Sequence, residues 1–180
     1  MGLPAGTHRF GPGDVSLQVR TYREGVAARA GHDLTLEVTR WDATVEIAAA
    51  GGAATVELDA DPGSLEVREA AGGVKPLTER DRAEIHKTIA AKVLGDHPIR
   101  FRSRDVQVRD DGLVVAGELS LAGSTRPLTA ELTVDGAVVS GTIPLRQSDW
   151  GIKPYRGLMG ALRLRDEVEI VIASRRGAAT

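Results

Sequence analysis

Apolar and polar residues alternate one for one through segment after segment of this chain, and a single segment breaks the rule. A period of two places successive side chains on opposite faces of an extended strand, so each such segment has one face to bury. The pattern runs through Val15, Leu17 and Val19, then through Leu34, Leu36 and Val38. It returns at Val45 and Ile47, at Val56 and Leu58, and at Leu65 and Val67. It is longest in the second half, at Ile99 and Phe101, at Leu113 to Leu121, at Leu128 to Val134 and at Val139 to Leu145. Leu162 and Leu164, then Val168, Ile170 and Ile172, close the series. Turn signals separate the runs: Gly31-His32-Asp33, the small-residue stretch Ala48 to Ala54, Asp61-Pro62-Gly63, Asp110-Asp111-Gly112, Gly123-Ser124-Thr125 and Asp135-Gly136. Eight to ten antiparallel strands at this spacing curl into a barrel or split into a sandwich.

The exception is the stretch from Pro76 to Pro98. Thr78 stands at an N-cap position with Asp81 three residues on, and Glu79 and Asp81 place negative charge at the helix start. Ile85, Ile89 and Val93 recur every four residues, with Ala90 and Leu94 beside them, which makes one apolar stripe. Gly95 suits the residue after the helix, and Pro98 prevents its resumption. One helix with one greasy face, in a chain otherwise made of strands, has to cover something apolar. The predicted fold is therefore all-β with one helix: an extended antiparallel β-barrel with an α-helix covering one end. No composition break divides it, so residues 7–174 read as one domain, with tails at 1–6 and 175–180.

At 180 residues the chain is long enough for one well-filled domain. A net charge of −2 gives no global pull toward nucleic acid or an anionic surface, and with two residues each of Phe, Trp and Tyr, base-stacking platforms are not expected. There is no cysteine, which removes disulfides, thiolate nucleophiles and Cys-ligated zinc. His8, His86 and His97 are not spaced as metal ligands, and no G-x-S-x-G, H-E-x-x-H, Walker or G-x-G-x-x-G pattern occurs, so neither a cofactor nor an enzyme is expected. The N-terminal residues lack a basic region followed by an apolar run, which reads as cytoplasmic, and no apolar stretch approaches the ~20 residues of a membrane helix.

Four segments, in order, resemble the YceI-like proteins, a lipocalin-like, polyisoprenoid-binding family: GVAARAGHDLTLEVTRWDATVEI, LTERDRAEIHKTIAAKVLGDHPIRFRS, GELSLAGSTRPLTAEL and the closing DWGIKP. The resemblance runs from about Thr7 to Ala173. It implies an extended lipocalin-like barrel whose long apolar tunnel holds an isoprenoid or another lipid tail. Many members are exported; this chain resembles the cytoplasmic branch.

Alternation and the resemblance together nominate the residues facing such a tunnel. These are Leu34, Leu36, Val45, Val56 and Leu58 from the early strands, with Ile89 from the helix. Ile99, Phe101, Leu119, Leu121, Leu132, Leu162 and Leu164 follow from the later ones. The plain alternative is a solid core, because side chains can fill a small barrel. The small inward residues Ser103, Gly117, Ala130 and Gly141 favour space. Residues 148–160, SDWGIKPYRGLMG, read either as a closing loop packed on the rim or as a lid where Trp150, Tyr155, Arg156 and Met159 meet the head of the ligand. His32 and Asp33, on opposite sides of an extended chain, read as turn-forming residues. Arg100, Arg102 and Arg104 read as a solvated outer face. The expected function is sequestration of an apolar, isoprenoid-like molecule, by binding and not by chemistry. The alternative is a packed barrel that pairs with a second copy as an interaction or stress-response module.

Overall fold

The computed structural model describes residues 3–49, 54–136 and 138–175. Fourteen strands are present in it: β1 (Gly6–Phe10), β2 (Val15–Thr21), β3 (Arg23–Glu24), β4 (His32–Val38), β5 (Trp41–Ile47), β6 (Ala54–Ala60) and β7 (Leu65–Gly72) precede the helix α1 (Glu79–Thr88). After it come β8 (Ile99–Arg109), β9 (Gly112–Leu121), β10 (Ser124–Asp135), β11 (Val138–Arg146), β12 (Arg156–Gly157), β13 (Leu162–Leu164) and β14 (Glu167–Ser174). Eleven of them form one antiparallel sheet in the order β1-β5-β6-β8-β9-β10-β11-β14-β2-β4-β7. The sheet curls into a half-barrel of lipocalin-like kind, with β1 and β7 as its two edges. The remaining three, β12-β13-β3, make a small separate sheet.

Sequence and structure agree at the helix. The Thr78 hydroxyl accepts from the Asp81 amide at 3.2 Å while the Asp81 carboxylate accepts from the Thr78 amide at 2.8 Å, a complete capping box with Asp in the role usually held by Glu. These bonds, first the one from the Thr78 backbone, hold the Asp81 carboxyl below its ordinary 3.8. The helix continues as a π-type turn over Ile89–Leu94 and stops at Gly95, whose φ of +62° suits glycine. The apolar stripe thus keeps its direction through Leu94, which is buried.

Three features were not expected. Gly6–Phe10 adds an edge strand to β5, although only Phe10 is a large apolar residue there. Arg175, expected in a loose tail, is tied down: its amide donates to the Asp14 carbonyl at 2.8 Å, its Nε to the Pro12 carbonyl at 2.6 Å, and its guanidinium pairs with buried Glu37. The third concerns Gly117 and Gly141. A Cβ at Gly117 would lie 2.3 Å from the Arg102 carbonyl, and one at Gly141 would lie 2.8 Å from the Glu131 carbonyl. These glycines let backbones approach, at the β8 bulge between Ser103 and Asp105 and beside the β10–β11 turn; they do not widen an interior. The expected small-residue turn from Ala48 to Ala54 lies mostly outside the described residues, as do residues 176–180.

The corner between β4 and β5 is tied by Ser64, which is fully buried: its hydroxyl donates to the Asp61 carbonyl at 2.8 Å, and its carbonyl accepts from both the Thr39 amide and hydroxyl at 2.9 Å. The outer face carries the arginine ladder as expected. Arg100 pairs with Asp59 at 3.2 Å, Arg102 with Asp59 at 2.8 Å and Arg104 with Glu118 at 2.8 Å.

Candidate functional site

Because every long strand alternates, the curled sheet turns one aliphatic face inward, and that face surrounds a cavity of about 940 Å³. This is near the upper end of the ~300–1,000 Å³ typical of small-molecule sites. β2 contributes Leu17, Val19 and Thr21; β4 contributes Leu34, Leu36 and Val38; β6 contributes Val56, Leu58 and Ala60. Ile99 and Phe101 come from β8, Val115, Leu119 and Leu121 from β9, and Leu128, Ala130 and Leu132 from β10. Ile143 and Leu145 of β11, with Val168, Ile170 and Ile172 of β14, complete the sheet's share. The helix adds Ile85, Ile89 and Val93, the stripe read from the sequence, so its single apolar face has found what it covers. A packed barrel would leave no such space.

Of the sixteen nominated residues, the structure sets Leu34, Leu36, Val56, Leu58, Ile89, Ile99, Phe101, Leu119, Leu121, Leu132, Tyr155, Leu162 and Leu164 on the cavity wall. Val45, Trp150 and Met159 are not on it. Val45 is buried where β1 and β6 flank β5. Trp150 is buried elsewhere: β10 and β11 pair only at their turn, from Thr133 opposite Ser140 to Asp135 opposite Val138, and then part. The turn Gln147–Trp150 spans that parting. Trp150 Nε1 donates to the Leu119 carbonyl at 2.9 Å, and Arg126 Nε donates to the Asp149 carbonyl at 3.2 Å. Met159 is fully exposed. Residues 148–160 are therefore divided between both readings: Trp150 packs as a closing element, Tyr155 faces the cavity, and Met159 points to solvent.

Polar residues also line the wall: Asp81, Glu84, Thr88 and Lys92 from the helix and its π-type continuation, Gln147 after β11, and a group from β2–β4 and the loop before β12. Thr21 and Arg23 end the β2–β3 segment, His32 begins β4, and Tyr155 and Lys153 lie in the loop before β12. Arg23 is pinned: its amide donates to Asp33 at 2.8 Å, and its guanidinium donates to the Gly31 carbonyl. His32 Nε2 lies 2.9 Å from the Lys75 carbonyl, and since a carbonyl only accepts, Nε2 carries the proton. His32 and Asp33 thus hold the chain in place, as expected for turn residues. Thr21 differs. Its hydroxyl is buried without a hydrogen-bond partner among the described residues, beside the aliphatic side chains that β2 places on the cavity wall. Sequence reasoning missed it by counting only apolar residues in the alternation; Thr21 stands two places after Val19, in phase. Among the described residues no cluster of His, Asp and Glu could hold a metal ion, and no helix is long and apolar enough to cross a membrane.

A family model described as the YceI-like domain matches residues 17–175. No curated protein matches. The crystal structure of BcnA from Burkholderia cenocepacia is similar over 89% of this chain and 94% of that one, with a TM-score of 0.64 and 15% sequence identity, a likeness of fold.

Proposed function

The chain belongs to the YceI-like domain family, and we propose that it sequesters a single apolar molecule, isoprenoid-like or otherwise lipid-tailed, by binding and not by chemistry. The observation that carries this reading is the largely aliphatic wall around about 940 Å³ of interior space. Protein interiors pack to the density of organic crystals, and space of this size costs dispersion contacts along its whole lining. A fold that needed only stability would fill it.

The energetics suit a hydrocarbon chain. Burial contributes about 0.8 kcal/mol for each methylene, so a tail of about ten carbons gains roughly 8 kcal/mol, from which the costs of association and ordering are subtracted, and longer tails gain in proportion. The polar groups at the end marked by Thr21, Arg23 and His32 would set which end of the molecule stands at the rim.

The test is native mass spectrometry of the full chain, as purified and after incubation with geranylgeraniol, beside the Ala130→Phe variant. Ala130 is buried on the wall, and a phenyl ring there takes space from the cavity. We expect one adduct per chain for the wild type and its loss in the variant. A wild type that retains no lipid-sized adduct and takes up no prenol would refute the reading.

A further inference from the structure

We infer that the rim of the cavity is a docking face for an anionic lipid bilayer. Three loops meet there, spanning residues 25–31, 72–77 and 151–161. The Ala27 amide donates to the Ala161 carbonyl at 2.9 Å, which joins the first to the third. The His32 ring, directly after the first, bonds the Lys75 carbonyl of the second. Ala30, Gly31, Leu77, Lys153 and Tyr155, drawn from all three, line the cavity.

These loops present most of the large apolar side chains that the described surface exposes. Val26 is 96% exposed, Val74 79%, Leu158 58% and Tyr155 55%, and Met159 is fully exposed. Scattered single apolar residues need no explanation; five around one opening do. Leu158 and Met159 moreover hold consecutive left-handed backbone conformations, φ +49° and +54°. Such conformations are strained for residues with a Cβ, and here they leave two apolar side chains in solvent.

Charge decides between the possible occupants. The three loops carry Arg29, Lys75, Lys153 and Arg156 and no acidic residue, in a chain whose net charge is −2. All four side chains are exposed, and among the described residues none takes part in an ion pair. On the adjoining strands the charges cancel, Arg23 with Asp33 and Arg163 with Glu24. α1 carries Glu79, Asp81 and Glu84, the last two on the cavity wall, against Arg80, Arg82 and Lys87, so the helix adds no net charge to the rim. Apolar tips surrounded by uncompensated cations match an anionic leaflet, where the tips enter the acyl boundary and the cations meet the headgroups. A second copy would bring the same four cations against these four. Docking in this orientation would open the cavity toward the membrane, a source and sink for lipid-tailed molecules.

The inference goes beyond the cargo reading and does not rest on it. Its test is co-sedimentation of the full chain with vesicles of equimolar phosphatidylcholine and phosphatidylglycerol, against vesicles of phosphatidylcholine alone. We expect binding to the anionic vesicles that weakens with added salt, and little binding to the neutral ones. Lys153→Glu with Arg156→Glu should weaken it by about 25-fold or more, since each cation near an anionic surface contributes roughly five-fold. Leu158→Asp with Met159→Asp should abolish it without loss of folding, because Asp tolerates the left-handed region. Circular dichroism verifies the fold of both variants. Absence of binding to either vesicle, equal binding to both, or variants that bind as the wild type does would overturn the inference. So would a wild-type dimer in sedimentation velocity that the same substitutions dissociate. Prenol adducts in the mass spectrometer report on the cavity alone, so a failure of docking and a failure of cargo are read separately.

Discussion

His86 Nδ1 lies 2.7 Å from the carbonyl oxygen of Leu65, and this bond joins the helix to the free edge of the sheet. One helical turn earlier, Arg82 Nη1 donates to the Val67 carbonyl at 3.0 Å. Leu65 and Val67 are two residues apart on β7, so their carbonyls point the same way, outward from the last strand of the sheet. An edge strand with unpaired carbonyls is a template for another chain, and here two side chains of the helix occupy it. The same contacts fix the helix so that Ile85 and Ile89 face the cavity.

Removing that latch is the first test. Arg82→Ala with His86→Ala should cost about 1–3 kcal/mol, two hydrogen bonds of roughly 0.5–1.5 kcal/mol each. Urea denaturation measures the loss. The variant should also self-associate with rising concentration in sedimentation experiments, as the exposed edge pairs. Unchanged stability and a monodisperse variant would show that the helix is held by its apolar stripe alone.

Trp150 gives the second. Its ring is buried and its Nε1 bonds the Leu119 carbonyl, but it is not on the cavity wall. Trp150→Phe keeps most of the ring and loses the bond, at about 1 kcal/mol. Trp150→Ala opens the place where β10 and β11 part, at about 3–5 kcal/mol. Trp150→Phe should bind geranylgeraniol as the wild type does. A loss of prenol binding without a loss of stability would return Trp150 to the ligand's surroundings.

The case of Trp150 also shows where sequence reasoning stops. Alternation picks out most of the nominated side chains that the structure sets along the cavity, because burial of one strand face is a local property and each strand declares it in its own residues. Leu34, Leu36, Leu119 and Leu121 needed no knowledge of their neighbours. The capping box at Thr78 and Asp81 was legible for the same reason. What depends on the pairing of distant strands was not legible. Gly117 and Gly141 looked like empty positions on an inner face, and the reason for them lies in the carbonyls of Arg102 and Glu131 on other strands. Val45 has the right phase, but its strand lies near the β1 edge, away from the cavity. Arg175 looked like part of a tail until Pro12, Asp14 and Glu37 came beside it.

Thr21 supports a third test. A buried hydroxyl without a partner costs about 1–3 kcal/mol, and Val has nearly the same shape. Thr21→Val should therefore leave the protein as stable or more so by thermal unfolding. If the hydroxyl meets the polar end of the cargo, the same change weakens binding of geranylgeraniol and spares the hydrocarbon of equal length. Equal affinities of wild type and variant for both molecules would remove Thr21 from the site.

Acid should loosen the structure through a small set of carboxylates. Ser148 donates to Asp166 through its hydroxyl at 2.5 Å and its amide at 2.8 Å, and the hydroxyl bond is the chief cause of a carboxyl held below its ordinary 3.8, with Arg146 3.6 Å away adding to it. Asp61 is lowered as well, first by the Gly63 amide at 2.7 Å and then by Arg40. A carboxyl lowered in the folded state binds its proton more readily when unfolded. Its contribution is complete above the unfolded value, near 3.9, and is lost as pH falls through the folded value. Melting temperature should thus hold from neutral pH to about pH 5 and fall steeply below about pH 4. Asp166→Asn removes one such group, since the amide does not titrate and still accepts from Ser148 through one oxygen. The variant should start lower at neutral pH and lose less on acidification, so that the two curves converge in acid. Parallel curves over the whole range would mean that Asp166 gives the fold no pH dependence, and that the bonds from Ser148 are as strong to the protonated acid as to the carboxylate.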